Sequence, residues 1–208
     1  ERGLSLAIGR RPERAGQVVR EHEFMDLGPV RAGRDRVRDR QALQEQKDLL
    51  AAIRQAQGLF ISRRDPGQLY RALLDILVQH SKSEFGFLDE VLYEPDGTPY
   101  ELNLALSNIA WNDESRQLYQ ELVERRLEFR DLSNLSGAPI LEGRTIIANN
   151  VSEHPRYRGL PKGHPALISY MGIPLYWKHQ IIGVAGVANR QGGYDEEIAE
   201  LIEPLTQA

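Results

Sequence analysis

Apolar side chains recur along this chain with two different periods, and the switches between them divide it into elements. From Val37 to Phe60 the run VRDRQALQEQKDLLAAIRQAQGLF has no proline and is rich in strong helix formers. Leu43, Leu50, Ile53 and Phe60 follow one another at intervals of seven, three and seven, the spacing of an a/d seam. Such a seam fits a parallel pair of helices from two subunits; it also fits one helix lying on its own domain. Asp65-Pro66 reads as an N-cap followed by a first-turn proline. Leu69, Leu73, Ile76 and Leu77 then repeat at helical spacing, which predicts a helix over residues 66–81.

The period changes to two at EFGFLDEVLYE, where Phe85, Phe87, Val91 and Tyr93 alternate with Gly86, Leu88 and Leu92, a strand with apolar contacts on both faces. Pro95-Asp96-Gly97 supplies a turn, and Leu102, Leu104 and Leu106 mark the returning strand. Asn112 ahead of Asp113 and Glu114, with Leu118, Tyr119, Leu122 and Val123 beyond, predicts a capped helix. Residues 127–166 are irregular apart from a short strand at Thr145–Ala148. Two strong strands follow, Ile168–Trp177 and Gln180–Asn189, joined tightly at Lys178-His179. Ile198, Leu201, Ile202 and Leu205 give a last helix that ends or kinks at Pro204. This order predicts an α+β domain over residues 65–206, with an antiparallel sheet backed by N- and C-terminal helices. Residues 37–64 form a long signalling or dimerisation helix, and residues 1–36, Arg-rich and aperiodic, are expected to be a connector or the tail of a preceding domain.

Composition narrows the function classes. The 208 residues are 41% apolar, enough for a core, and 26 basic against 30 acidic residues give a net charge of -4, too balanced to point to nucleic acid or an anionic membrane. Residues 1–40 hold ten Arg and seven acids, a net of +3, so the other 168 carry -7. With no cysteine, disulfides, thiolate metal sites and cysteine nucleophiles are excluded. No apolar run approaches the roughly 20 residues of a membrane span, and no signal segment opens the chain. A cytoplasmic protein is expected, and the start at Glu1 suggests a piece of a longer polypeptide.

The excursion and final hairpin carry a family pattern. Trp111-Asn112 is followed by Asn134-Leu135-Ser136-Gly137, Glu142-Gly143 and Ile147-Ala148-Asn149-Asn150. Then come His154-Pro155-Arg156, Arg158-Gly159-Leu160-Pro161, Gly163-His164-Pro165, Gly172-Ile173-Pro174, and Gly186 to Asn189 ahead of Gly192-Gly193-Tyr194-Asp195-Glu196. In this order the chain resembles a GAF domain of the type found in bacterial sensor histidine kinases and cyclic-dinucleotide (GGDEF) signalling proteins. The resemblance implies a GAF/PAS-like sheet of five or six strands, with a ligand cavity between its outer face and the excursion. It also implies a homodimer joined by the helices flanking the domain, and an output domain of the kinase or cyclase kind outside this chain. A cysteine-bound bilin and cysteine-based sulfoxide reduction, known in the family, are excluded here. Cyclic-nucleotide binders carry Asn-Lys-(xn)-Phe-(x3)-Asp-Glu, whereas Asn189, Arg190, Tyr194, Asp195 and Glu196 place Tyr and Asp side by side. That group reads as structural bracing, with an Arg190–Asp195 ion pair.

Candidate ligand contacts are Trp111, Phe129 and Tyr170 as cavity wall, and Arg144, Arg156 and Arg158 as an anion clamp suited to carboxylate or phosphate. His164, between Gly163 and Pro165, either hydrogen-bonds a backbone carbonyl or touches the ligand. His154 and His164 lack the further donors that a metal site needs, so no metal, no haem and no other cofactor is expected. No nucleophile–base pair, phosphate loop or HExxH motif supports catalysis. The reading is a non-catalytic sensor domain for an unidentified small molecule, with a ligand-free dimerisation scaffold as its competitor.

Overall fold

The computed structural model describes residues 28–62, 65–125 and 127–206. The chain divides into two units, Glu1–Asp39 and Arg40–Ala208. Of the first, residues 28–39 are described and are helical; the rest of the segment read as a connector lies outside the described residues. Helix α1, Gly28–Ser62, starts nine residues before the Val37 expected from the apolar pattern. The reason is local: Pro29 sits in the first turn, where it costs no hydrogen bond, and no other proline follows before Pro66.

In the second unit, α1 turns a different row inward from the one its seam suggested. Leu49 and Ile53, one turn apart, are buried, whereas Leu43 and Leu50 are each about half exposed, at 52% and 51%. The side chain of Phe60 lies outside the described residues, as do those of Leu122, Val123, Pro204 and Leu205. Helix α2, Pro66–His80, begins where the sequence predicts it, with the Asp65 carboxylate accepting from the Gly67 N–H at 2.9 Å. It buries Leu74 and Leu77.

Six strands form one sheet: β1 Phe85–Tyr93, β2 Pro99–Leu106, β3 Glu128–Phe129, β4 Ile146–Ala148, β5 Tyr170–Trp177 and β6 Gln180–Ala188. Their spatial order is β3-β2-β1-β6-β5-β4, with every neighbour antiparallel. Between β2 and β3 lies α3, Asp113–Arg125, with Asn112 and Ser115 capping each other reciprocally. Helix α4, Ala138–Glu142, precedes β4, and α5, Glu196–Thr206, ends the described chain. Strand β3 and α4 occupy the stretch expected to be irregular; at two and five residues they are too short to show a period. Helix α5 continues past Pro204 to Thr206, because a proline this near the end deletes only one helical hydrogen bond. No helix among the described residues is long and apolar enough to cross a membrane.

The two faces of the sheet are covered differently. On one, Leu74 and Leu77 of α2 and Ile202 of α5 pack on Leu88, Ala105, Met171, Ile173, Ala185 and Val187. On the other, Leu135, Ala138 and Val151 of the excursion pack on Ile146, Ala148 and Tyr170 at the β4–β5 end. Leu132 and Ile140 close over Val91 and Val184.

Candidate functional site

Between the excursion and the sheet lies a cavity of about 250 Å³, smaller than the roughly 300–1,000 Å³ of drug-sized sites. Its floor follows from the pleat. Phe87 and Asp89 of β1 share a face, and β2 lays Asn103 directly opposite Asp89 and Glu101 opposite Val91. Leu104 is an extra residue between the pairs Leu88–Ala105 and Asp89–Asn103. This bulge flips the alternation, so Glu101, Asn103 and Leu106 all reach the cavity while Ala105 joins the helix-side core.

Gly172 and Gly186 are paired across β5 and β6, and a Cβ on either would run into an aromatic ring, that of Tyr170 or Phe87 respectively. The missing side chains let both rings lie over the sheet, nearly parallel at 14° with centroids 6.5 Å apart. Phe129 of β3 walls one end, and the segments Asn134–Ser136 and Tyr157–Pro161 form the roof with His164 and Leu167.

Four of the seven sequence candidates meet here: Phe129, Arg158, His164 and Tyr170. His164 bonds a backbone carbonyl, its Nδ1 donating to Pro165 O at 2.7 Å, and its ring packs edge-on against Phe85. Trp111 is 55% exposed and packs edge-on against Phe85 without itself lining the cavity. The anion clamp does not assemble. Arg144 and Arg156 both pair with Glu142, the latter at 3.1 Å, and neither lines the cavity. Arg158 spends one nitrogen on the carbonyls of Pro155 and Tyr157, at 2.7 and 3.2 Å. A nearby carboxylate and free loop carbonyls outcompete a distant ligand for these guanidinium groups.

The polar groups that do face the cavity are acids on the sheet. Asp89 is buried and accepts from Asn103 Nδ2 at 2.7 Å. Glu101 is 1% exposed and its Oε1 has no hydrogen-bond partner; the Tyr170 hydroxyl, on a residue 4% exposed, has none either. Burial pushes the Asp89 carboxyl up to about 7, against the Asn103 bond that lowers it. Burial, and then the charge of Asp89, push Glu101 up to about 8. No ion pair joins a Lys or Arg to either carboxyl among the described residues. The same set offers no group of three His, Asp or Glu that could hold a metal ion. Sequence reasoning missed these acids, although Asp89 keeps strict alternation with Phe85, Phe87 and Val91.

The Asn189-to-Glu196 group braces the fold, but not by the expected ion pair. Asn189, at φ 61°, accepts from Ile168 N–H and donates to Glu84 and to the Ala166 carbonyl, at 2.8–2.9 Å. Arg190 donates to the Ser81 carbonyl at 3.2 Å, and Asp195 caps α5 through the Ile198 N–H at 2.9 Å. An N-cap competes well for a carboxylate, which explains why Asp195 is not given to Arg190. Tyr194 is buried with its hydroxyl on Ser83 at 2.7 Å, and Asn149 after β4 grips both its N–H and its carbonyl, at 2.8 and 2.9 Å.

A six-stranded antiparallel sheet with helices on one face and a loop-roofed cavity on the other defines an α+β domain of the GAF-like fold. The sequence pattern of the GAF domain matches residues 63–208, and the chain belongs to that family, whose members are generally regulatory modules. It is similar to the GAF domain of a phosphoenolpyruvate-protein phosphotransferase from Coxiella burnetii. That match has a TM-score of 0.59 and 16% identity over 77% of this chain and 89% of that one. The corresponding Acinetobacter domain gives 0.55 and 18%, over 76% and 87%. These likenesses concern the fold. A methyl sulfide methyltransferase-associated sensor from Methanosarcina acetivorans is 34% identical over 74 residues, 35% of this chain. The match spans 7% of that protein's length.

Proposed function

We propose that this chain is the non-catalytic sensory part of a cytoplasmic multidomain signalling protein of the sensor kinase or cyclic-dinucleotide kind. A small molecule enters the cavity, and the flanking helices carry the signal to an output domain. The observation that carries this reading is a cavity lined by Glu101 and Tyr170, each of which has a buried oxygen without a partner. A scaffold closed by its own side chains has no use for unmet hydrogen-bonding capacity, which costs about 1–3 kcal/mol per buried group.

A route out of the cavity supports the same reading. Tyr170, in the cavity wall, pairs with Ala148 at the end of β4. The next residue, Asn149, holds the backbone of Tyr194 just ahead of α5. A ligand that shifts Tyr170 therefore pulls on the start of α5, provided that it binds the two arrangements unequally. The half-exposed Leu43 and Leu50 of α1 offer a face for a second copy of this helix.

Native mass spectrometry of the protein as purified tests both parts. The expected result is a dimer carrying one small molecule per subunit that is lost on denaturation. A protein that is empty, and stays empty after incubation with a metabolite extract, would contradict the sensor reading and leave the scaffold.

A further inference from the structure

Resting on the reading of the cavity as a ligand site, we propose that it takes a small organic cation: a compact apolar body bearing a protonated amine or amidine whose N–H groups are received by Asp89 and Glu101. Glu101 lines the cavity, is buried, and has one carboxyl oxygen, Oε1, without a partner. Asp89, held from one side by Asn103, lies on the adjacent strand two positions along. A buried carboxylate requires a counter-charge or a proton, and no described Lys or Arg provides the charge. A ligand cation fills the role that a side chain leaves open.

The rest of the lining fits the body of such a molecule. The faces of Phe87 and Tyr170, with Phe129 and Leu135, give an apolar slot, and aromatic faces attract cations. A bare metal ion suits the site poorly, since two carboxyls without a third acidic or histidine donor would leave most of its coordination open. An anion would meet both carboxyls at close range; of the two basic residues in the lining, Arg158 has one guanidinium nitrogen on the carbonyls of Pro155 and Tyr157, and His164 has its Nδ1 on that of Pro165.

Proton balance follows from the burial of the acids. In the empty cavity both titrate well above the usual carboxylate range, at about 7 and about 8, so near neutrality the pair retains a proton. An entering ammonium stabilises the charged forms and drives a proton from the carboxyls to the buffer, and affinity therefore rises with pH across that interval.

The test uses the whole chain and three probes of one shape: benzylamine, benzyl alcohol and benzoate. Binding is followed by calorimetry at about pH 7.5 in phosphate and in Tris, whose ionisation enthalpies differ, and by the shifts of the Gly172 and Gly186 amides. Benzylamine is expected to bind about tenfold or more tightly than the alcohol, with release of a fraction of a proton, and benzoate not at all. Glu101→Gln is expected to weaken the amine about tenfold and to reduce the proton release, with amide shifts away from the cavity like those of the parent showing that the variant is folded. Alcohol or benzoate binding as tightly as the amine would overturn the cation and leave the cavity as a ligand site. Failure of all three probes to move the cavity amides would overturn both.

Discussion

On the helix side of the sheet, Leu74, Leu77 and Ile202 close over Leu88, Met171 and Val187, and the hydroxyl of buried Tyr194 is held by Ser83. On the excursion side, alternate residues of the same strands leave a cavity of about 250 Å³ lined by two buried carboxyls, Asp89 held by Asn103 and Glu101 with its Oε1 unpartnered, and by Tyr170, whose hydroxyl has no partner. The hydroxyl of Tyr194 on one face is satisfied and that of Tyr170 on the other is not, and a further unpartnered oxygen, Ser169 Oγ, lies just ahead of β5. Native proteins bury few unsatisfied polar groups, and two of the three among the described residues belong to the cavity lining, where the proposed ligand would sit.

Cutting into the filled face is the largest way to test this contrast. Leu74→Ala should cost about 2–5 kcal/mol in urea denaturation, with an unchanged m-value; a much smaller cost would mean that this face is loosely packed as well.

Glu101→Gln should act in the opposite direction, and only at high pH. The Glu101 carboxyl titrates at about 8 in the fold against an ordinary 4.5. Below the ordinary value both states hold the proton. As pH rises to about 8 the unfolded chain releases it first, so the native protein loses stability across that window. The variant has no such loss, and at pH 9 it should exceed the parent by on the order of a few kcal/mol. Denaturation of both at pH 5 and pH 9 checks the sign; equal pH profiles would break the comparison.

The smallest effects sharpen it, using one tyrosine from each face. Tyr194→Phe removes a made hydrogen bond and should cost about 1 kcal/mol. Tyr170→Phe removes a hydroxyl with no partner, and its effect should stay within about 0.5 kcal/mol or be stabilising. Equal losses from the two would mean that the Tyr170 hydroxyl has a partner after all.

The filled face was largely legible in the sequence. The Asp65-Pro66 start of α2, the alternation in β1 and the tight β5–β6 hairpin rest on local rules, and the structure obeys them. The cavity face was half legible. Tyr170 and Phe129 stand out as aromatics in a loop-rich half, but Glu101 sits beside Leu102, Leu104 and Leu106, whose alternation sends Glu101 toward solvent on paper. Burial of Glu101 depends on how β2 pairs with β1 around the Leu104 bulge, and that pairing spans residues distant in sequence. The arginines failed as an anion clamp for a similar reason. Glu142 meets Arg156 across 14 residues through the folding of α4 and the loop after β4, and no spacing rule announces that pair.

The proposed cation site has two carboxyls in one apolar cavity, which near neutrality retain a proton between them in the absence of a cation. Carbon-detected NMR titration of the Asp89 and Glu101 carboxyls, in the empty protein and with benzylamine, measures this directly. The prediction is midpoints near about 7 and about 8 in the empty cavity, both moving down by about one unit or more with the amine. Midpoints near the ordinary carboxylate value in the empty protein, or unmoved by the amine, would contradict it.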